Sequence, residues 1–347
     1  TSGIVYGFSF FLMAVGYKIG MWELFGIALL IGSFGVVSYG DLYNQLLREN
    51  LKKERMSSFL AHISQYGVLI TGAALLASGW LLERFPTTGR SVSIFGFEVT
   101  LVGFILSFMI TAISFILSGY VLSFIHQRNT GASYPLGRFI KEYRRKVRSQ
   151  ASQFFSNRII MLLVIASIFS GVVQALGNSF YGIFIFTEFN DVFLGGFLNV
   201  AVIFTVAILV SVLGPWFNER LHQSIGYAPM LVFGTLLIAI MPAVSAFNPN
   251  LYAIGAANAV SVIGAAIVGA AQGLLARKLL GEEQRRLYFA NLSMMITLPF
   301  VVLLPLGAWL AQTMGLIMLF KVLALVMVGL VMPLYLILVG LASKRRL

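Results

Sequence analysis

Ten long apolar runs decide what this chain can fold into. They lie at about 3–19, 21–47, 57–82, 98–125, 158–187, 193–217, 226–246, 250–276, 286–312 and 315–342. A membrane-crossing helix needs roughly 20 mostly apolar residues, and the longer runs are expected to cross at a tilt. A soluble domain carries about 25% charged residues, whereas this chain is 10% charged and 59% hydrophobic over 347 residues. A soluble fold of this size could not hide so much apolar surface. The solvent is therefore lipid, and the predicted class is an all-α polytopic membrane protein. The short alternating strands of a membrane barrel are absent. Without cysteine, neither a disulfide framework nor a thiolate metal site is available.

The basic residues orient the runs. With Thr1 inside, the inner segments 48–56, 126–158, 218–225, 277–286 and the tail hold 20 of the 24 Lys and Arg, leaving Lys18, Arg84, Arg90 and Lys321 outside. That is a strong positive-inside bias, and it predicts a cytoplasmic C-terminus in the cell membrane. The net charge of +12 then follows from topology and attraction to anionic lipid, not from nucleic-acid binding. The stretch 126–157 reads as a cytoplasmic central loop with a basic surface helix. It separates an N-terminal bundle, 1–125, from a C-terminal six-helix bundle, 158–347.

An internal repeat supports two halves. At an offset of 228, Leu46, Leu47, Leu51, Glu54 and Gly79 fall on Leu274, Leu275, Leu279, Glu282 and Gly307. The same offset maps 226–246 onto 3–19 and 250–276 onto 21–47, and it leaves 158–187 and 193–217 without counterparts. The expectation is a twelve-helix plan with ten helices present, built from two parallel six-helix halves as in some secondary transporters.

Two stretches carry a family likeness. "NQLLRENLKKERMSSFLAHISQYG" has Glu49 before and Arg55 after a turn between two apolar runs. "GPWFNERLHQSIGYAPMLVFG" carries Gly214, Glu219, Arg220 and Gly226, a degraded Gly-x-x-x-Asp-Arg-x-Gly whose Gly–acid spacing is one residue too long. On these residues the chain resembles the major facilitator superfamily over its whole length, from that family's third helix to its twelfth. The resemblance implies alternating access between two bundles and passage of a small solute. It also implies that helix 158–187 lines a central cavity. The run 57–82 has Gly67, Gly72 and Gly79 but lacks the Gly-Pro of the family's antiporter motif.

Polar groups inside apolar runs are the candidate sites, because each costs free energy in lipid. Asp41 lies seven residues before Arg48, so about 10 Å deeper along its helix. Asn44, Gln45 and Arg48 continue the same stripe. The next helix brings Ser58, His62 and Gln65 to comparable depth, and a carboxylate and an imidazole there can share a proton. Asp41 reads equally as a structural acid near the headgroups. In the second half, Gln174, Asn178 and Tyr181 share one face, and Asn258 sits in a run of small residues. Asn199, Gln272 and Asn291 read as helix–helix glue.

No phosphate loop, His-Glu-x-x-His or Gly-x-Ser-x-Gly is present, so no enzyme is expected, and neither a metal nor a cofactor. The expected function is secondary active transport of a small solute, with proton-linked export of an amphiphilic compound as the leading form. The expected partners are the solute, protons and the bilayer, with the monomer as the working unit. The rivals are nutrient uptake of a sugar or organic ion, a permease subunit of an ATP-driven complex, and a membrane-embedded enzyme.

Overall fold

The computed structural model describes residues 2–32, 35, 53–94, 97–124, 158–280 and 282–344. Asp41, Gln45 and Glu49 lie outside the described residues. The chain divides into two compact units, Thr1–Ala132 and Ser133–Leu347.

In the first unit α1 is Ser2–Ile19, α2 is Trp22–Gly32, α3 is Lys53–Arg84 and α4 is Gly103–Ser123. Glycine lets α1 and α4 approach closely. A Cβ on Gly7 would stand 2.7 Å from the Ala112 carbonyl oxygen, and one on Gly119 would stand 3.0 Å from the Ile4 nitrogen. Around that contact Tyr6 meets Phe115 edge-on at 4.4 Å, and Phe10, Phe108 and Phe25 continue the chain of rings. Arg55, His62 and Gln65 are placed on α3 by its backbone, and their side chains are outside the described part.

Between α3 and α4 lies a feature the apolar runs concealed. β1 (Arg90–Ile94) and β2 (Phe97–Leu101) pair antiparallel, with Val92 opposite Val99 and Ile94 opposite Phe97. The expected run 98–125 is thus strand over its first four residues and helix only from Gly103. The cause is visible in "SVSI" and "FEVT", where apolar and polar residues alternate with the period of a strand. Ile94 and Phe97 are joined by two residues, Phe95 and Gly96, a length suited to a tight hairpin.

The second unit runs α5 (Arg158–Glu188), α6 (Gly196–Ser211), α7 (Gly214–Ile225), α8 (Tyr227–Phe247), α9 (Leu251–Leu279), α10 (Glu282–Met314), α11 (Leu316–Val326) and α12 (Met332–Lys344). Its core is built from Leu163, Phe184, Met230, Leu231, Ile267 and Phe320, all at most 1% exposed. α8 and α9 cross backbone to backbone, because a Cβ on Gly264 would stand 2.6 Å from the Gly234 carbonyl oxygen. Asn250 caps α9 by accepting from the Tyr252 and Ala253 amides. The last span was expected as one regular helix, 315–342. It contains a π-turn, Met327–Val331, in which the Met332 amide reaches the Met327 carbonyl. Pro333 follows directly and has no N–H to offer Gly329, so the helix cannot keep its four-residue bond there.

Each of the ten apolar runs contains a described helical segment, although not every described residue of a run is helical. Six described helices are long and apolar enough to cross a membrane, and α6 with α7, bent by 47°, forms a seventh span if counted as one. The described segments Gly3–Ile19, Trp22–Gly32 and Pro299–Met314 are apolar but shorter.

Candidate solute-contact site

The stripe predicted on α5 forms, and the structure assigns its members unequal roles. Gln174 lies close to the midpoint of α5. Its Nε2 donates to the Ser170 hydroxyl at 3.1 Å and to the Ser170 carbonyl at 3.3 Å. Ser170 is buried and Gln174 is half-buried. With its nitrogen held by its own helix, the amide keeps Oε1 as its remaining polar atom. Among the described residues nothing donates to that oxygen. Asn178 is about 6 Å further along the axis. It is exposed and has no hydrogen-bond partner among the described residues. Tyr181 completes the spacing but not the surface. It is 6% exposed, stacked on Phe320 at 5.0 Å, and its ring lies over the space left by Gly177. The pair left accessible on the stripe is Gln174 and Asn178, with Ser170 holding the Gln174 amide.

Ser170 was not picked out from the sequence, for a physical reason. Hydroxyls in apolar helices usually bond their own carbonyl four residues back, as Ser167 does to Leu163, Ser179 to Ala175 and Thr235 to Leu231. Nothing in a sequence marks the one that instead holds an amide.

The remaining candidates separate. Asn258 is 4% exposed, inside the bundle on α9, and its Nδ2 has no partner among the described residues. Asn199 is fully buried and serves the connection before it. Gln272 is not isolated glue. Its Nε2 donates to the Tyr335 hydroxyl at 2.7 Å. That bond ties α9 to α12. The two residues lie 63 positions apart, and no periodicity in the sequence connects them.

The degraded motif was expected in a loop, but the structure forms it into helix α7. Pro215 opens that helix and Gly226, at φ 76°, closes it. Gly214 and Asn218 dock α7 on α9. A Cβ on Gly214 would stand 2.6 Å from the Ala266 Cβ, and the Asn218 amide donates to the Ala266 carbonyl at 3.3 Å. Glu219 and Arg220 are exposed, with the guanidinium 4.3 Å from the Trp216 ring centre. Close by, Tyr227 meets His222 at 3.9 Å and the Lys278 ammonium at 5.0 Å. Among the described residues no group of His, Asp or Glu is arranged to hold a metal ion.

No protein family and no curated protein sequence matches the chain. Solved structures do. A bacterial metal transporter superposes with a TM-score of 0.65 at 14% identity, over 97% of this chain and 84% of that one. A variant of the nucleoside transporter NupG gives 0.66 at 16% identity, over 98% and 83%. The E. coli fucose:proton symporter FucP, also as a variant, gives 0.52 at 16% identity, over 97% and 83%. These are all transporters, and superpositions covering nearly all of the chain show that it shares their polytopic α-helical fold.

Proposed function

We propose that this protein is a secondary active transporter of the cell membrane that moves a small solute by alternating access. The observation that carries the proposal is the pair on α5. Near the midpoint of a 31-residue apolar helix, Asn178 presents an amide and Gln174 a carbonyl oxygen that have no partner among the described residues. Facing lipid, such groups would cost several kcal/mol of lost hydrogen bonding, by order of magnitude. Facing water or a solute, they lose nothing. A carrier's solute path is the setting in which mid-helix amides belong. The fold supports the same reading, since the neighbours named above carry a metal, a nucleoside and fucose with protons.

The direction we favour is proton-linked export of an amphiphilic compound, with both ends of the chain on the cytoplasmic side. The bias of 20 basic residues to one set of connections supports that orientation. Aromatic rings such as Phe10, Phe25 and Phe108, half-buried in the first unit, suit an apolar moiety. Uptake of a nutrient is the second reading, because the fucose neighbour is a proton symporter.

The test uses everted membrane vesicles and the uncharged amphiphile N-phenylnaphthylamine. A pH gradient should drive its accumulation inside. Asn178→Leu combined with Gln174→Leu should slow that by about tenfold, the effect of losing roughly 1.4 kcal/mol of hydrogen bonding, at equal protein level. Flux that ignores both the gradient and the substitutions would sink the export reading.

A further inference from the structure

We infer that the solute handled by the α5 stripe carries no net charge and is held by hydrogen bonds alone. This rests on the carrier reading above and narrows it.

The first ground is where the second unit keeps its charges. Arg158 and Glu188 bound α5, and Arg277 and Lys278 close α9. Lys321 stands nearest to a span's interior, five residues into α11, and its ammonium reaches back to Phe247 at the end of α8, 5.9 Å from the ring centre. Among the described residues of this unit, no Asp, Glu, Lys, Arg or His lies at the middle of a membrane-length span: Glu219, Arg220 and His222 fall on the short α7, and Lys321 lies near the start of Leu316–Ser343. What the middle does hold is neutral: Ser170, Gln174 and Asn178 on the stripe, and Asn258 and Gln272 elsewhere.

The second ground is how Gln174 is held. Ser170 takes both of the nitrogen's contacts, which leaves the carbonyl oxygen as the amide's available group among the described residues. Asn178, one turn on, can both donate and accept. An O–H or N–H on a solute would recover at Gln174 the bond it loses to water, and Asn178 would take an adjacent acceptor. An ion would exchange a full hydration shell for a few neutral dipoles, with no counter-charge at mid-span among the described residues of this unit to repay the loss.

These 347 residues hold no cysteine, so an introduced thiol has no rival among them. Asn178→Cys, and separately Gln174→Cys, would be made in the full-length protein and exposed, in right-side-out and everted vesicles, to three methanethiosulfonate reagents. One bears a trimethylammonium group, one a sulfonate and one a hydroxyl. Ile183→Cys, half-exposed on another face of α5, serves as the control. The expected result is modification of both stripe positions at rates within about threefold of each other across the three reagents, since focused fields change on-rates by about tenfold or more. A preference above about tenfold for either charge would overturn the uncharged-solute inference and leave the carrier standing. No reaction at either stripe position, from either side, would show that the stripe meets no water, and the carrier reading itself would fall.

Discussion

The Asn199 side chain leaves little of its hydrogen-bonding capacity unused. Its Nδ2 donates to the carbonyls of Phe189 and Val192 at 2.9 and 2.7 Å, and its Oδ1 accepts from the Leu194 amide at 3.1 Å. These bonds fix the connection between α5 and α6, in which Phe193 takes the left-handed conformation at φ 60°. A non-glycine residue stays there only if its surroundings hold it. Asn199→Ala should therefore lower stability by about 2–4 kcal/mol, from three lost bonds with buried partners left behind. Thermal unfolding in detergent would show it, and an unchanged midpoint would mean that the connection holds itself. The sequence read Asn199 only as glue between helices. Side-chain-to-backbone bonds over five to ten residues leave no periodic trace, so the position was legible and its partners were not. The same limit hid Ser170 behind Gln174.

Among the elements, hydropathy located all ten runs, because lipid forces every backbone group to bond within its own segment. It failed where helix and apolar run part company. The β-hairpin escaped because Val99 and Leu101 extend the apolar run of α4, although Glu98 and Thr100 alternate with them. The π-turn escaped because hydropathy records which residues are apolar and not how tightly they are wound. That turn has a testable use. Met327, Val331 and Tyr335 are all fully buried at successive steps of four, a spacing that drifts around a regular α-helix by about 40° per step. The wider turn takes back part of that drift and keeps Tyr335 aimed at Gln272. Tyr335→Phe should cost about 1 kcal/mol. In a Pro333→Ala background, where the turn can tighten and rotate Tyr335 away, that cost should vanish. A double-mutant cycle read by thermal unfolding would show the non-additivity. Simple addition would mean that the π-turn does not position the phenol.

For the molecule as a whole, orientation and coupling are the open quantities. A reporter at the C-terminus that is active only in the cytoplasm should be active, as the positive-inside bias predicts, and activity of a periplasmic reporter instead would reverse the topology. Asp41 is the deepest acid legible in the first half. Asp41→Asn should abolish movement driven by a pH gradient while leaving downhill exchange intact, because an amide of the same shape cannot release a proton. Vesicles loaded with a pH-sensitive dye would record the loss, and undiminished gradient-driven flux would return Asp41 to a structural role. The fold was legible from apolar length and the placement of charge. The site was legible only as a list of polar positions, since packing decided that Tyr181 and Asn258 turn inward while Asn178 does not.

The bond from Gln272 to the buried Tyr335 hydroxyl constrains the history of this protein as well as its shape. A relative that replaced Tyr335 by Phe would take away the partner of the Gln272 amide, and one that replaced Gln272 by an apolar residue would take away the amide partner of a buried phenol. The two positions are therefore expected to drift together, exchanged as a pair for apolar residues or kept as a pair, so that intermediate combinations are rare among descendants of a common ancestor.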